Sequence, residues 1–169
     1  NRTNILINLK EIKNKIFKKE NFYFLLLILL IFCFDRYSKI TVINELINNT
    51  LYINDFVNFD LVWNTGIGFG LLSSNSSLFY NLVSILICLI ILFLIYLAMN
   101  ADKFDKLIFS IIIGGAGGNF YDRLVYQAVP DFIDFHVQNF HWFTFNVADI
   151  FITIGIIIYL CKGLIVKDV

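Results

Sequence analysis

Charge is scarce in this chain, and what there is cancels: 13 Lys and Arg stand against 13 Asp and Glu in 169 residues. A balanced chain without a basic patch excludes nucleic acid as a partner. The three cysteines, Cys33, Cys88 and Cys161, make no CxxC and no metal-ligand spacing, so they read as small residues of apolar segments. Only two histidines occur, His136 and His141. With no HExxH and no evident third ligand nearby, neither a metal nor any other cofactor is expected. No Ser/His/Asp or Cys/His arrangement is present to support covalent catalysis.

Apolar residues fill the space that charge leaves. The chain is 59% hydrophobic and 17% aromatic, with a single Pro and a mean hydropathy of +0.76. That leaves too little polar surface to cover a soluble globule, so this is a membrane protein. A span needs about 20 mostly apolar residues. Leu78 to Met99 meets this outright, and Asn21 to Val42, Phe104 to Tyr121 and Val147 to Val166 meet it once polar groups near their ends are admitted. The fold expected is an all-α membrane protein, one integral domain over 1–169 with helices at 21–42, 77–99, 104–121 and 147–166. Residues 1–20 form a cytoplasmic interfacial segment, 43–76 an outer platform and 122–146 an outer loop. Asn1 as first residue reads as an incomplete or processed N-terminus.

Basic residues near spans stay in the cytoplasm. With the N-terminus inside, Arg2, Lys10, Lys13, Lys15, Lys18, Lys19, Lys103, Lys106, Lys162 and Lys167 are inner, against Arg36, Lys39 and Arg123 outside, which places both termini in the cytoplasm. The first apolar run ends in "FDRYSK" rather than a small-x-small site, so it is not a cleavable signal peptide. Ahead of it, Ile5, Leu9, Ile12 and Ile16 recur at helical spacing among lysines, which fits a short interfacial helix and equally a frayed basic tail.

On this topology the polar residues gather at the outer ends of the helices: Asp35 and Lys39, "NTGIGFG" (64–70), "GGAGGNFYDR" (114–123), Asp131 and Asp134 of "VPDFIDF", and "FNVAD" (145–149). Each has a structural explanation. Asn146 can cap the last helix with Asp149 three residues on. Asp122 can pair with Arg123, and Asp35 with Lys39 at i, i+4. "GGAGG" suits close helix packing. Their joint placement on one side is what these explanations leave over, because ionisable groups at membrane depth are costly and usually functional.

Between the first two helices, Val57, Phe59, Leu61 and Trp63 alternate with polar Asn58, Asp60 and Asn64, the two-residue period of a half-buried strand. The spacing predicts a small extracytoplasmic β-platform there, followed by glycines at 66, 68 and 70 that let backbone turn tightly or approach a ligand. Paired carboxylates at a partly dry site point to aspartyl hydrolysis. One holds a proton while the other ionises and activates water.

The ordered set "DRYSK", "NTGIGFG", "GGAGGNFYDR", "VPDFIDF" and "FNVAD" resembles lipoprotein signal peptidase, the signal peptidase II family, over residues 21 to 166. The resemblance implies an aspartic endopeptidase of the bacterial inner membrane, its active site at the extracytoplasmic face. It would remove signal peptides from prolipoproteins by cutting before the diacylglyceryl cysteine. Its partners would be those substrates and membrane lipids, and a monomer is expected. Carried over by position, the catalytic pair is Asp131 and Asp149; Asn64, Asn119, Arg123 and Asn146 line the substrate site; Asp35, Lys39, Gly66, Asp122 and Ala148 support it. Two departures are Gly68, where the family often has Ala, and Arg36, where it often has Gln. The alternatives are a GxGD-type intramembrane aspartyl protease, although no GxGD occurs, and a small transporter subunit.

Overall fold

The computed structural model describes residues 18–47, 49–66 and 77–165. The interfacial helix expected before residue 18, and Gly68 and Gly70, lie outside the described residues. Among the described residues, four helices and four strands follow one another: α1 (Lys19–Glu45), β1 (Leu51–Asn54), β2 (Val57–Asn64), α2 (Ser77–Asn100), α3 (Lys103–Tyr126), β3 (Val129–Val137), β4 (Phe140–Phe145) and α4 (Val147–Ile165). The protein is thus mostly helical with one antiparallel sheet of order β1-β2-β3-β4.

The helices follow from long runs of Leu, Ile and Phe whose backbone has no better way to satisfy its polar groups in apolar surroundings. Two of them, Tyr80–Asn100 and Val147–Leu164, are long and apolar enough to cross a membrane by length and composition. The molecule is inverted relative to a soluble globule. Phe22, Leu25, Leu26, Leu29 and Leu30 of α1 and Leu82, Ile85, Leu86, Leu89 and Phe93 of α2 are exposed, whereas Asp35, Lys39, Asp122 and Asn146 are fully enclosed.

Helix α3 packs against the other three, and its glycines allow this. A Cβ at Gly115 would lie 2.6 Å from the Ala148 carbonyl oxygen of α4, and one at Gly114 would lie 2.9 Å from Ile31 Cβ of α1. A Cβ at Gly118 would collide with the Asp35 carboxylate. The "GGAGG" run is therefore the surface on which three helices meet at backbone distance.

Two expectations need correction. Residues 122–146 are not an outer loop: α3 runs on to Tyr126, where Gln127 turns the chain in a left-handed conformation (φ 54°), and 129–145 form β3 and β4. The sheet is therefore not confined to the segment between the first two helices. The strand expected at 57–64 is β2, which pairs with β1 on one side and β3 on the other. β3 escaped notice because an inner strand buried on both faces shows no clean polar alternation; residues 129 to 132 are all buried.

Replacing Gly115 by Ala pushes a methyl group against backbone that cannot rotate away. The expected loss is about 1–3 kcal/mol, read as a lower unfolding midpoint in detergent. Gly117→Ala is the control: its Cβ would have one neighbour, Phe32, at 3.9 Å, and its midpoint should not fall.

Candidate active site

The polar end of the bundle is organised by Lys39. Its Nζ donates to Asp35 Oδ2 (2.8 Å), Asp122 Oδ2 (2.7 Å) and Asn119 Oδ1 (2.8 Å), using all three of its protons with no exposed surface. Arg36 pairs with the other oxygen of Asp122 and donates to Tyr126 Oη at 3.2 Å, its guanidinium 4.7 Å above the Tyr121 ring. Two cations and two carboxylates thus balance in the protein interior, as burial of charge requires. The Asp35–Lys39 pairing expected at i, i+4 is present. The Asp122–Arg123 pair is not, because adjacent helical residues point about 100° apart. Arg123 instead donates to Asn119 O (3.2 Å) and Gly66 O (2.9 Å).

Asn119 transmits this order to Asp149. Because Lys39 can only donate, it fixes the Asn119 amide with Oδ1 toward the ammonium, and Nδ2 then donates to Asp149 Oδ1 at 2.7 Å. The start of α4 holds the rest. Asn146 and Asp149 form the expected cap in both directions, Asp149 N to Asn146 Oδ1 (3.1 Å) and Asn146 N to Asp149 Oδ2 (3.2 Å). The free Ala148 N–H donates to Asp35 Oδ1 at 2.9 Å, which ties α4 to α1.

Asp131 comes from the sheet. Asn64 ends β2 two residues diagonally from it and donates Nδ2 to its Oδ2 (2.8 Å), while Asn146 donates Nδ2 to its Oδ1 (2.6 Å). Asn64 also turns its Oδ1 to the Gly66 N–H at 2.8 Å, fixing the chain as it leaves β2. Asn146 therefore touches both carboxylates, and the cap and the pair are a single construction. Burial raises the Asp131 carboxyl from 3.8 to about 7, and the nearby Asp149 adds to this against the lowering effect of the Asn64 and Asn146 amides.

All eleven residues singled out in the sequence meet in this one network. Sequence reasoning missed Arg36 as a partner of Asp122; burial of a second cation was the signal, visible only once α1 and α3 pack. The reading of His136 and His141 as lacking a third ligand is also corrected: Asp134 Oδ2 lies 2.7 Å from His141 Nδ1 and 3.4 Å from His136 Nδ1. Alternation along β3 and its pairing with β4 make this neighbourhood.

Two buried carboxylates joined through Asn146 and lined by neutral amides, at the end of an outwardly apolar bundle, define the hydrolase class of membrane-associated enzymes. A family model described as "Signal peptidase (SPase) II" matches residues 27–165. The lipoprotein signal peptidase of Pelagibacter ubique (strain HTCC1062) is 50% identical over 146 residues, 85% of this chain and 88% of that protein. That of Francisella tularensis subsp. mediasiatica (strain FSC147) is 37% identical over 150 residues, 86% of this chain and 92% of that protein. Two solved bacterial membrane enzyme structures, at 2.3 and 1.9 Å resolution, superpose with TM-scores of 0.70 and 0.69 at 27% and 28% identity; they cover 84% of this chain and 87% and 92% of their own. The chain belongs to the signal peptidase II family and is a peptidase.

Two measurements test the site. Lys39→Met leaves Asp35 buried without its ammonium, and the expected loss is about 3–5 kcal/mol, seen as a collapse of the unfolding midpoint. The second is pH dependence. The folded chain keeps on Asp131 a proton that the unfolded chain releases near pH 4. This contribution is whole below about pH 4 and is lost as pH rises to about 7. Asp131→Asn should flatten that decline: from about pH 5 to about pH 8 its unfolding midpoint should fall less than the wild type's. Parallel declines would mean an ordinary carboxyl at 131.

Proposed function

We propose that this peptidase removes signal peptides from lipid-modified prolipoproteins, cutting on the N-terminal side of the diacylglyceryl cysteine, with Asp131 and Asp149 as its acid–base pair. The observation that carries the reading is a cavity of about 480 Å³ that begins at Asn119, Arg123 and Asp149 and continues between α2, α3 and α4 to Leu97, Tyr159 and Leu160. Along α4 this is about 16 Å at 1.5 Å per residue. Below the three polar residues its lining is Ile, Leu and Phe apart from Ala116, Thr153 and Tyr159. A signal peptide is itself an apolar helix, and such a trough, entered sideways from lipid, suits it.

Asp149, at the N-terminus of α4, is the ionised member, favoured by the helix dipole; Asp131 holds the proton. Asp149 takes a proton from water, whose oxygen attacks the scissile carbonyl, while Asp131 gives its proton to the carbonyl oxygen. The tetrahedral adduct collapses when Asp149 passes the proton on to the leaving nitrogen and Asp131 recovers its own from the diol. The products are a carboxylic acid and a free amine, and both aspartates end as they began. Arg123 Nε is buried and makes no hydrogen bond among the described residues, which fits a donor kept for the substrate backbone.

In this reading α1 to α4 all span the bacterial inner membrane, both termini are cytoplasmic and the sheet sits on the outer face. Asp35, Arg36 and Lys39 of α1 and Asp122 of α3 are buried and paired with one another. One chain supplies every site residue, so the working form is a monomer. The diacylglyceryl chains anchor the cysteine at the depth of the pair, each buried CH₂ contributing about 0.8 kcal/mol.

One assay tests the reading: purified protein in nanodiscs, with matched lipidated and unlipidated precursors. Asp131→Asn and Asp149→Asn should each lower the cleavage rate by at least about 10²–10⁴-fold while the variants remain folded. The unlipidated precursor should lose most of kcat/KM, since anchoring and registration vanish together. Near-normal turnover by Asp131→Asn would remove it from the pair, and equal rates on both precursors would end the lipoprotein-specific reading.

A further inference from the structure

The outer sheet holds a second cluster with its own chemistry. Asp134 and His136 are two residues apart on β3 and so share a face, and His141 is the cross-strand partner of His136 on β4. The three side chains bring one ligand atom each within 4.8 Å of one another. The two imidazole rings stack at 5.2 Å with 27° between their planes, so both present an edge to the same carboxylate.

A plain hydrogen bond accounts for only part of this. His141 Nδ1 meets Asp134 Oδ2 at 2.7 Å, as an ordinary His–Asp pair would. His136 Nδ1 lies 3.4 Å from the same oxygen, is buried, and makes no hydrogen bond among the described residues. A buried ring nitrogen that faces a buried carboxylate and makes no hydrogen bond to it conflicts with the rule that buried polar atoms find partners. A cation between them removes the conflict.

We propose that Asp134, His136 and His141 form a binding site for a divalent transition-metal ion of the Zn²⁺ class. Bonds of about 2.0–2.2 Å in a tetrahedron separate ligand atoms by about 3.3–3.5 Å, which is the spacing between Asp134 and His136. His141 must move away from Asp134 by less than 1 Å and approach His136, whose ligand atom lies within 4.8 Å, by up to about 1.5 Å to reach that tetrahedral spacing, and its side chain, 60% exposed, is free to do so. Two imidazoles and one carboxylate favour Zn²⁺ and its neighbours over Mg²⁺ or Ca²⁺, which prefer oxygen alone. Three protein ligands leave a fourth position for water on the exposed His141 side.

The ion would clamp β3, which carries Asp131, to β4, which leads directly into Asn146 and α4. Asp131 lies at odd spacing from Asp134 and His136, on the other face of the strand, so the ion is outside the peptidase chemistry. Its effect is to stiffen the hairpin that holds the site.

The test uses full-length protein in detergent with any affinity tag removed and metal stripped by chelator. The chain's two histidines are both in the cluster, so an imidazole signal has no other source. Titration with Co²⁺ should give visible bands of a four- or five-coordinate nitrogen–oxygen site, one ion per chain, displaced by Zn²⁺ and not by Mg²⁺ or Ca²⁺. His141→Ala, on an exposed strand, should fold normally yet weaken binding by more than the roughly 10–100-fold that loss of an outer partner of a metal ligand costs. Zn²⁺ should raise the unfolding midpoint of the wild type and not of His141→Ala. The proposal is overturned if Co²⁺ does not bind, if His141→Ala binds as tightly as the wild type, or if the bands are those of cysteine thiolate.

Discussion

A single ammonium group, that of Lys39, holds together the polar end of the bundle. With no water to solvate it, each of its three protons must find an oxygen, and it finds them on α1 and twice on α3. Two of those oxygens belong to carboxylates that would themselves be intolerable in the interior without it. The arrangement is mutual: Asp35 and Asp122 neutralise Lys39 and Arg36, and the set as a whole is neutral. Glycine at 118 leaves the room in which the Asp35 carboxylate sits.

From that fixed point the order spreads by hydrogen bonds whose direction is forced. Lys39 sets the rotation of the Asn119 amide, Asn119 then has only its NH₂ to offer, and Asp149 accepts it. Asp35 uses its second oxygen to hold the Ala148 N–H, so the first turn of α4 is positioned by α1. The opposite end of the bundle shows what is missing without burial. There Glu20 pairs with Lys103 at 2.9 Å and Lys162 with Asp102 at 3.3 Å among partly exposed groups, and such pairs stabilise little.

The two aspartates are unequal because they arrive from different kinds of structure. Asp149 begins a helix, accepts a backbone N–H and sits in the helix's positive field. Asp131 is on an inner strand whose own N–H and C=O groups serve the sheet, so only the Asn64 and Asn146 side chains can reach it. Neutral amides give both carboxylates donors without a competing base. Chemically like groups are thus placed in unlike surroundings, one at a helix start and one on an inner strand.

Composition alone determined the solvent, because an apolar majority cannot be hidden in a chain of this size, and hydropathy runs located the helices to within a few residues. The cap at Asn146 and Asp149, the Asp35–Lys39 pair and the β2 period were also legible, since each depends on neighbours within a few positions. The ordered motifs carried the family. Only the tertiary structure decided which partner each charge takes. Asp122 turns from adjacent Arg123 to Arg36 and Lys39, 86 and 83 residues away, a choice that helix packing makes and local spacing cannot encode. The same holds for β3, whose burial on both faces erased the alternation by which strands are read, and for Asp134, whose meeting with His136 and His141 exists only because β3 and β4 pair in one particular register.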